Sequence, residues 1–419
     1  MRNLAYKRRL YPNQEQKVWF ARSIGAARWV YNHFLEKHKL FCDNDEEIME
    51  TYKRKDFRKN TYAYMKELVE LKKNPKYKWL KDINSQTLQD VIWNLDSALV
   101  NHEEGRSEFP VFKCKHNDKK RFTVVQKVKY DNIYHKLYIP KFRDGIKSAK
   151  DSPITGNIKK ATISKSATRK YFVSIVVEDG AVAPSLPMID VSRTIGIDLN
   201  TKDFIVLSDG RKFANPKILK IYAKRINRKN KQLSRCKKGS NGYYKKQLEL
   251  AKLHEKVKNT RYDFLHKLSS LLVHDNQVDT YVLEDLNISG MMRNHNLAGV
   301  ISDCGWGTFV RMMEYKCAWY GKNFVKISRW APSSKTCSHC GCINDDLKLS
   351  DRVWSCPSCG VELDRDINAA INIKSFGLLK LEQIPVDSGE FKRGKTAGSK
   401  RRRRSPSLSS EKFLEPPRL

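Results

Sequence analysis

The sequence lacks any apolar run long enough to cross a bilayer. Phe172-Val173-Ser174-Ile175-Val176-Val177 is among its longest, against the ~18 residues a span needs. The N-terminal Met1–Arg9 is charged and lacks the apolar core of a secretory signal peptide. Cysteine is sparse for a disulfide scaffold, ten in 419 residues, and four of the ten have metal-ligand spacing, which suits a reducing compartment. Acidic charge is also short: 46 Asp and Glu face 81 Lys and Arg, a formal charge of +35. The expectation is a prokaryotic cytoplasmic, nucleoid-associated protein with no membrane partner.

That cationic excess contributes nothing to a fold, because its self-repulsion opposes compaction. A polyanionic partner accounts for it, and nucleic acid is the first choice. At 40% hydrophobic and 10% aromatic residues the chain can bury a core, so wholesale disorder is excluded, and its length allows about two to four domains.

Residues 4–12 read as a strand that ends at Tyr11-Pro12. A helix then starts near Asn13, an N-cap with Gln16 three residues on. Phe20, Ile24, Ala27, Tyr31 and Phe34 lie on one face of it. Helical texture runs to about Val100. Strands follow between Phe109 and Val177, at 121–125, 136–139, 159–163 and 171–176, as a small antiparallel barrel or sheet that the first strand would join. Residues 181–187 read as a linker. Two strands, 194–200 and 204–210, precede a basic segment, 211–261, read as a helical hairpin broken at Gly239-Ser240-Asn241-Gly242. That segment holds 18 Lys and Arg against Glu249 and Glu255. A strand at 280–286, a helix at 308–322, a cysteine-rich knob at 331–362 and a last helix at 367–376 complete the ordered part. From Asp387 onward Ser, Gly, Pro and basic residues predict a disordered tail.

Three acids stand out. Asp198 lies between Ile197 and Leu199, Glu284 follows Tyr281-Val282-Leu283, and Asp366 opens a helix. A buried carboxylate on a strand is costly unless paired or bound to metal, and three brought together need a cation between them. Magnesium or manganese, which prefer oxygen ligands, would meet that need, and two such ions would activate water against a phosphodiester. Singly, Asp198 could end a strand and Asp366 could cap its helix, while Asp364 competes with it as a third ligand.

Cys337, Cys340, Cys356 and Cys359 form a C-x2-C-x15-C-x2-C pattern, two knuckles that complete a tetrahedral, structural zinc site. Cys342 and His339 are possible substitutes. Cys42, Cys114, Cys236, Cys304 and Cys317 read as ordinary thiols.

Gly196-Ile197-Asp198-Leu199-Asn200, Leu283–Met291, Ser333–Cys337 with the four-cysteine knuckle, and Asp364–Ile373 occur in this order. Together with Gly25–Phe34 they resemble the transposon-encoded TnpB proteins, compact relatives of type V CRISPR effector nucleases. The resemblance spans roughly residues 1–375. It implies α/β plus β-barrel architecture: a wedge β-barrel (1–12 and 109–187) with an inserted helical recognition domain (13–108), then an RNase H-like RuvC nuclease (188–330 and 363–380). The latter is interrupted by a zinc-binding target-nucleic-acid module (331–362), and a basic tail (381–419) follows. It also implies RNA-guided DNA cleavage beside a short flanking motif, by a monomeric ribonucleoprotein carrying a guide RNA from the transposon end, with Asp198, Glu284 and Asp366 on the metals.

The 211–261 hairpin would then hold a phosphate backbone near the metals, with Tyr222, Tyr243, Tyr244 and Tyr262 available to stack. Two other readings fit the residues: a guide-independent transposase or resolvase with the same acids, and a non-catalytic zinc-containing regulator.

Overall fold

The computed structural model describes residues 2–44, 57–115, 119–182, 184–348 and 350–382. The predicted tail from Asp387 lies outside them, as does the side chain of Cys42. No helix among the described residues is long and apolar enough to cross a membrane.

The chain opens with β1 (Asn3–Leu10) and α1 (Gln14–Asn44). The predicted cap is reciprocal: the Gln16 amide donates to Asn13 Oδ1 at 2.8 Å, and the Asn13 amide donates to Gln16 Oε1 at 3.0 Å. Two backbone donors that helix geometry would orphan are thereby satisfied. α1 joins two cores. Trp19 and Phe20 pack with the strands beneath, and Ala27, Tyr31 and Phe34 pack with α2 (Phe57–Lys73), a 3-10 turn (Pro75–Asp82) and α3 (Ser85–Glu103).

Six strands follow: β2 (Lys120–Val124), β3 (Lys129–Asp131), β4 (Lys136–Ile139), β5 (Phe142–Lys147), β6 (Asn157–Lys165) and β7 (Tyr171–Glu178). β1 pairs antiparallel with β7, in a four-stranded sheet ordered β1-β7-β6-β2. β3, β4 and β5 form a second sheet, and one apolar core lies between the two. The alternation of Tyr171, Val173, Ile175 and Val177 facing inward is the period-2 pattern of a half-buried strand.

A second α/β unit begins with β8 (Thr194–Leu199), β9 (Asp203–Leu207) and β10 (Lys212–Ala214). β10 corrects the helical reading of 211–217: after a turn at Asp209-Gly210, Lys212 pairs with Val206 on β9. Its flanking lysines masked a three-residue strand. Two helices follow, α4 (Ile218–Ser234) and α5 (Asn241–Val273), the second reaching beyond the predicted 261. Next come β11 (Thr280–Glu284), the short α6 (Ile288–Met291), α7 (His295–Cys304), α8 (Trp306–Tyr320) and β12 (Asn323–Ile327). β13 (Val353–Ser355) and β14 (Glu362–Asp364) belong to the cysteine knob, and α9 (Arg365–Glu382) ends the described chain.

The central sheet has the order β10-β9-β8-β11-β12. β8, β9 and β10 are antiparallel, whereas β8, β11 and β12 run parallel. One face carries Ile195, Ile197, Tyr281 and Leu283 into a core with Leu265, Leu268, Phe309 and Met313 of α5 and α8. The other face packs on α9 through Val282, Ile327 and Ile373.

Glycine sets the depth of that second contact. A Cβ on Gly196 would lie 2.1 Å from the Ala370 carbonyl oxygen and 2.6 Å from the Lys374 nitrogen, both helix backbone. One on Gly377 would meet Val282 Cγ1 at 2.4 Å. Backbone atoms cannot rotate away, so α9 lies on β8 and β11 only because both positions lack a side chain. Gly196→Ala is therefore expected to lift α9 and destabilise the protein by about 2 kcal/mol, in the range of overpacked cores. Urea denaturation checks it, and an unchanged midpoint would contradict this packing.

Candidate functional site

The parallel register decides where the acids fall. Leu283 of β11 pairs with Ile197 of β8, so the next residues, Glu284 and Asp198, lie level on neighbouring strands. Because side chains alternate, both project to the α9 face, two residues beyond Val282 and Gly196. On α9, Asp366 lies one turn before Ala370, whose carbonyl rests on Gly196. The sheet thus supplies two carboxylates and the overlying helix a third.

Their electrostatics agree. Burial pushes the Asp198 carboxyl up to about 8, and the charges of Glu284 and Asp366 add to that rise. Burial also raises Glu284, opposed by a hydrogen bond that Ser333 Oγ donates to its Oε1 at 2.5 Å. Arg352 Nη1 stands 3.5 Å from Asp366 Oδ1, and Arg329 Nη2 donates to Asp285 at 2.5 Å. The helix-capping role belongs to Asp364 instead: its Oδ1 accepts from the Asp366 and Ile367 amides at 3.0 and 3.1 Å, and Lys212 Nζ lies 2.6 Å from its Oδ2. Asp366 is thereby left out of the cap, and its charge reaches Asp198.

The four cysteines form the tighter cluster. Their sulfurs all lie within 4.8 Å of one another, with Cys337–Cys359 at 3.8 Å and Cys340–Cys356 at 3.6 Å. Zinc–sulfur bonds of about 2.3 Å in a tetrahedron place sulfurs about 3.8 Å apart, so the set fits zinc. The Cys359 backbone amide and its neighbour hold the Cys356 thiol down at about 6, favouring the thiolate that a metal requires. Among the described residues no set of three acids draws its oxygens together this closely. Cys342 lies beside the knuckle core, while Cys304 and Cys317 are buried elsewhere.

Sequence reasoning missed the bolts between these two centres. Asn368 Nδ2 donates to the Thr336 carbonyl at 2.7 Å, and its Oδ1 accepts from the Ser338 amide at 2.9 Å. Asn372 Nδ2 donates to the carbonyls of Ser333 and Thr336. Both asparagines are buried. Their i, i+4 spacing was a signal that both face the same partner. Through Ser333 the loop entering the knuckle is tied at once to α9 and to Glu284.

The basic hairpin is α4 packed on α5, with Ile218, Ile226 and Val257 between them. The two acids of the 211–261 segment are spent on fixation. Glu249 pairs with Lys229 and Lys246, and Glu255 accepts from Thr168 and Lys170 at the β6–β7 turn. Tyr244 and Tyr262 are exposed, whereas Tyr222 packs into the hairpin core.

With this geometry in place, comparison with known proteins defines the class. Residues 174–295 match a family model described as “Probable transposase”, and 306–373 match one described as “Cas12f1-like, TNB domain”. Residues 1–39 match a “Helix-turn-helix domain”, although here they fold as β1 followed by α1. A protein of Streptomyces pristinaespiralis provisionally named an RNA-guided DNA endonuclease is 33% identical over 89% of each chain. InsQ of Escherichia coli K12, provisionally named likewise, is 29% identical over 89% of this chain and 92% of its own. A TnpB-like protein, L79, of Acanthamoeba polyphaga mimivirus is 26% identical over 68% of this chain and 55% of its own. A solved Cas12f1–sgRNA–target DNA complex aligns at 15% identity and a TM-score of 0.47, over 89% of this chain and 98% of that one. The chain belongs to the TnpB family of transposon-encoded proteins, relatives of the type V effectors.

The raised Asp198 acidity has a consequence for stability. Its folded value lies above the unfolded one near 3.8, so the metal-free native state binds the extra proton and loses stability as pH rises from about 4 to 8. Asp198→Asn removes that loss. At pH 8 without divalent metal the variant is expected to be more stable by up to a few kcal/mol, the gap closing toward pH 5. Thermal melts across that range check it, and a pH-independent gap would contradict the burial argument.

Proposed function

We propose that the chain is an RNA-guided, divalent-metal-dependent DNA endonuclease of the transposon that encodes it. The observation that carries the mechanism is the Ile197–Leu283 register, which sets Asp198 beside Glu284 under the start of α9. Three half-buried oxygen donors, with Asp198 raised in proton affinity by burial and by the charges of Glu284 and Asp366, are a donor set suited to hard cations such as magnesium or manganese. Two such ions, when bound, supply Lewis acidity to an attacking water and to the leaving oxygen of a phosphodiester. Asp198, Glu284 and Asp366 hold that position, Ser333 orients Glu284, and Asp364 fixes the helix from which Asp366 projects.

The β10-β9-β8-β11-β12 order, with three antiparallel strands passing into parallel ones, supports an RNase H-like RuvC domain. The two N-terminal sheets support the wedge barrel, with α1–α3 as its inserted recognition domain. Cys337, Cys340, Cys356 and Cys359 are assigned to structural zinc, with no open coordination position. The partners are a guide RNA from the transposon end and target DNA, in a monomeric ribonucleoprotein. Base pairing with the guide reads the target, and the protein reads a short flanking motif. The hairpin α4–α5, held at both ends on the catalytic sheet and clamped by Glu255 to β6–β7, suits a phosphate backbone.

Asp198→Ala is expected to bind RNA and target DNA as the parent does while cleavage falls below detection. Gel shift and cleavage on one preparation check it. Binding that collapses with cleavage would make Asp198 structural, and cleavage by RNA-free protein would favour a guide-independent transposase. Binding by the hairpin should also weaken by roughly 10³-fold or more between 50 and 200 mM salt if several phosphates are contacted. A flat response would contradict that role.

A further inference from the structure

Between β12 and the knuckle the chain makes a tight excursion, Ser328-Arg329-Trp330-Ala331-Pro332-Ser333. It leaves the sheet at Ile327, which is level with Glu284 in the β11–β12 register. It returns at Ser333, whose hydroxyl donates to Glu284. Both ends of this six-residue loop therefore rest on the same catalytic acid.

The loop is stiff. The Ala331 amide donates to the Ser328 carbonyl at 3.1 Å, the Trp330 amide to Ser328 Oγ at 3.3 Å, and the Ser333 amide to the Ala331 carbonyl at 2.8 Å. Arg329 is held by Asp285, and Ala331 packs down against Val282, Ile327 and Ile373. What remains is Trp330, with 86% of its surface in water. Three residues extend at most about 11 Å, so the Trp330 backbone lies within that distance of both Ile327 and Ser333.

A rigid turn that buries its alanine and presents its tryptophan to solvent has put the largest apolar side chain where it contributes nothing to the core. Arg329, just before it in the chain, pairs with Asp285, and Lys335 at the root of the knuckle pairs with Asp345. An aromatic face held in solvent suits a nucleobase, because every base has a π-face on which it can stack.

We propose that Trp330 is a stacking platform for a base of the single DNA strand that enters the acid pocket, holding the neighbouring phosphodiester at Asp198, Glu284 and Asp366. This rests on the nuclease reading above. It adds a DNA contact outside the guide-paired region and independent of sequence.

The test uses the full chain loaded with its RNA and carrying Asp198→Asn, so that DNA survives. The probe is a single-stranded oligodeoxynucleotide without complementarity to the guide and with 2-aminopurine at successive positions. Trp330→Ala is expected to weaken binding about tenfold and to abolish 2-aminopurine quenching, while Trp330→Phe stays within about twofold of the parent. The slope of affinity against salt should not change, because no phosphate contact is removed. Unchanged affinity and quenching in Trp330→Ala would overturn the contact while leaving the nuclease reading intact. Equal losses in the Ala and Phe variants would also overturn it, since the loop and not the stacking face would then matter. A parent complex that binds no such strand would also overturn the contact, whereas the nuclease reading stands or falls on cleavage of guide-matched DNA.

Discussion

The close approach of α9 to β8 is the constraint on which the site depends. Two strands can place two carboxylates level, but the third must come from another element at the same depth. That is possible only if a helix lies against the sheet at backbone distance. Gly196 gives that distance under Ala370, and Gly377 repeats it over Val282. One turn back from Ala370 lies Asp366, whose charge reaches Asp198. Burial first, and then the charges of Glu284 and Asp366, raise the proton affinity of Asp198. A cation counters that rise.

The same helix governs the cysteine knuckle. Asn368 and Asn372 hold the backbone of Ser333–Ser338 by hydrogen bonds that leave the loop little freedom. The knuckle is thus an insertion between β12 and α9 whose root is also a wall of the acid pocket. Arg352 near Asp366 and Ser333 on Glu284 make the contact from both sides. Movement of the knuckle on a nucleic acid would be felt at two of the three acids.

Much of this was legible in sequence because its signals are local or compositional. The Asn13–Gln16 cap, the Phe20–Phe34 face and the C-x2-C spacings follow from rules that span a few residues. Asp198 and Glu284 stood out as candidates because they break apolar strands where a charge has no cheap home, and both lie on strands of the central sheet. What escaped notice depends on contacts distant in the chain. β10 and β12 are short and carry lysines, so only their partners in the sheet make them strands. Asn368 and Asn372 look like ordinary polar helix residues until Thr336 is brought against them. Sequence favoured Asp366 over its competitor Asp364 because it immediately precedes Ile367-Asn368-Ala369-Ala370, and in the structure Asp364 caps the helix.

The central claim is that Asp198, Glu284 and Asp366 form one divalent-metal site. The most direct measurement is manganese binding to the RNA-loaded protein by electron paramagnetic resonance. The account predicts about two ions per chain, lost together in Asp198→Asn, Glu284→Gln and Asp366→Asn and retained in Asp364→Asn. Manganese uptake indifferent to all three acids, or lost only with Asp364, would contradict it.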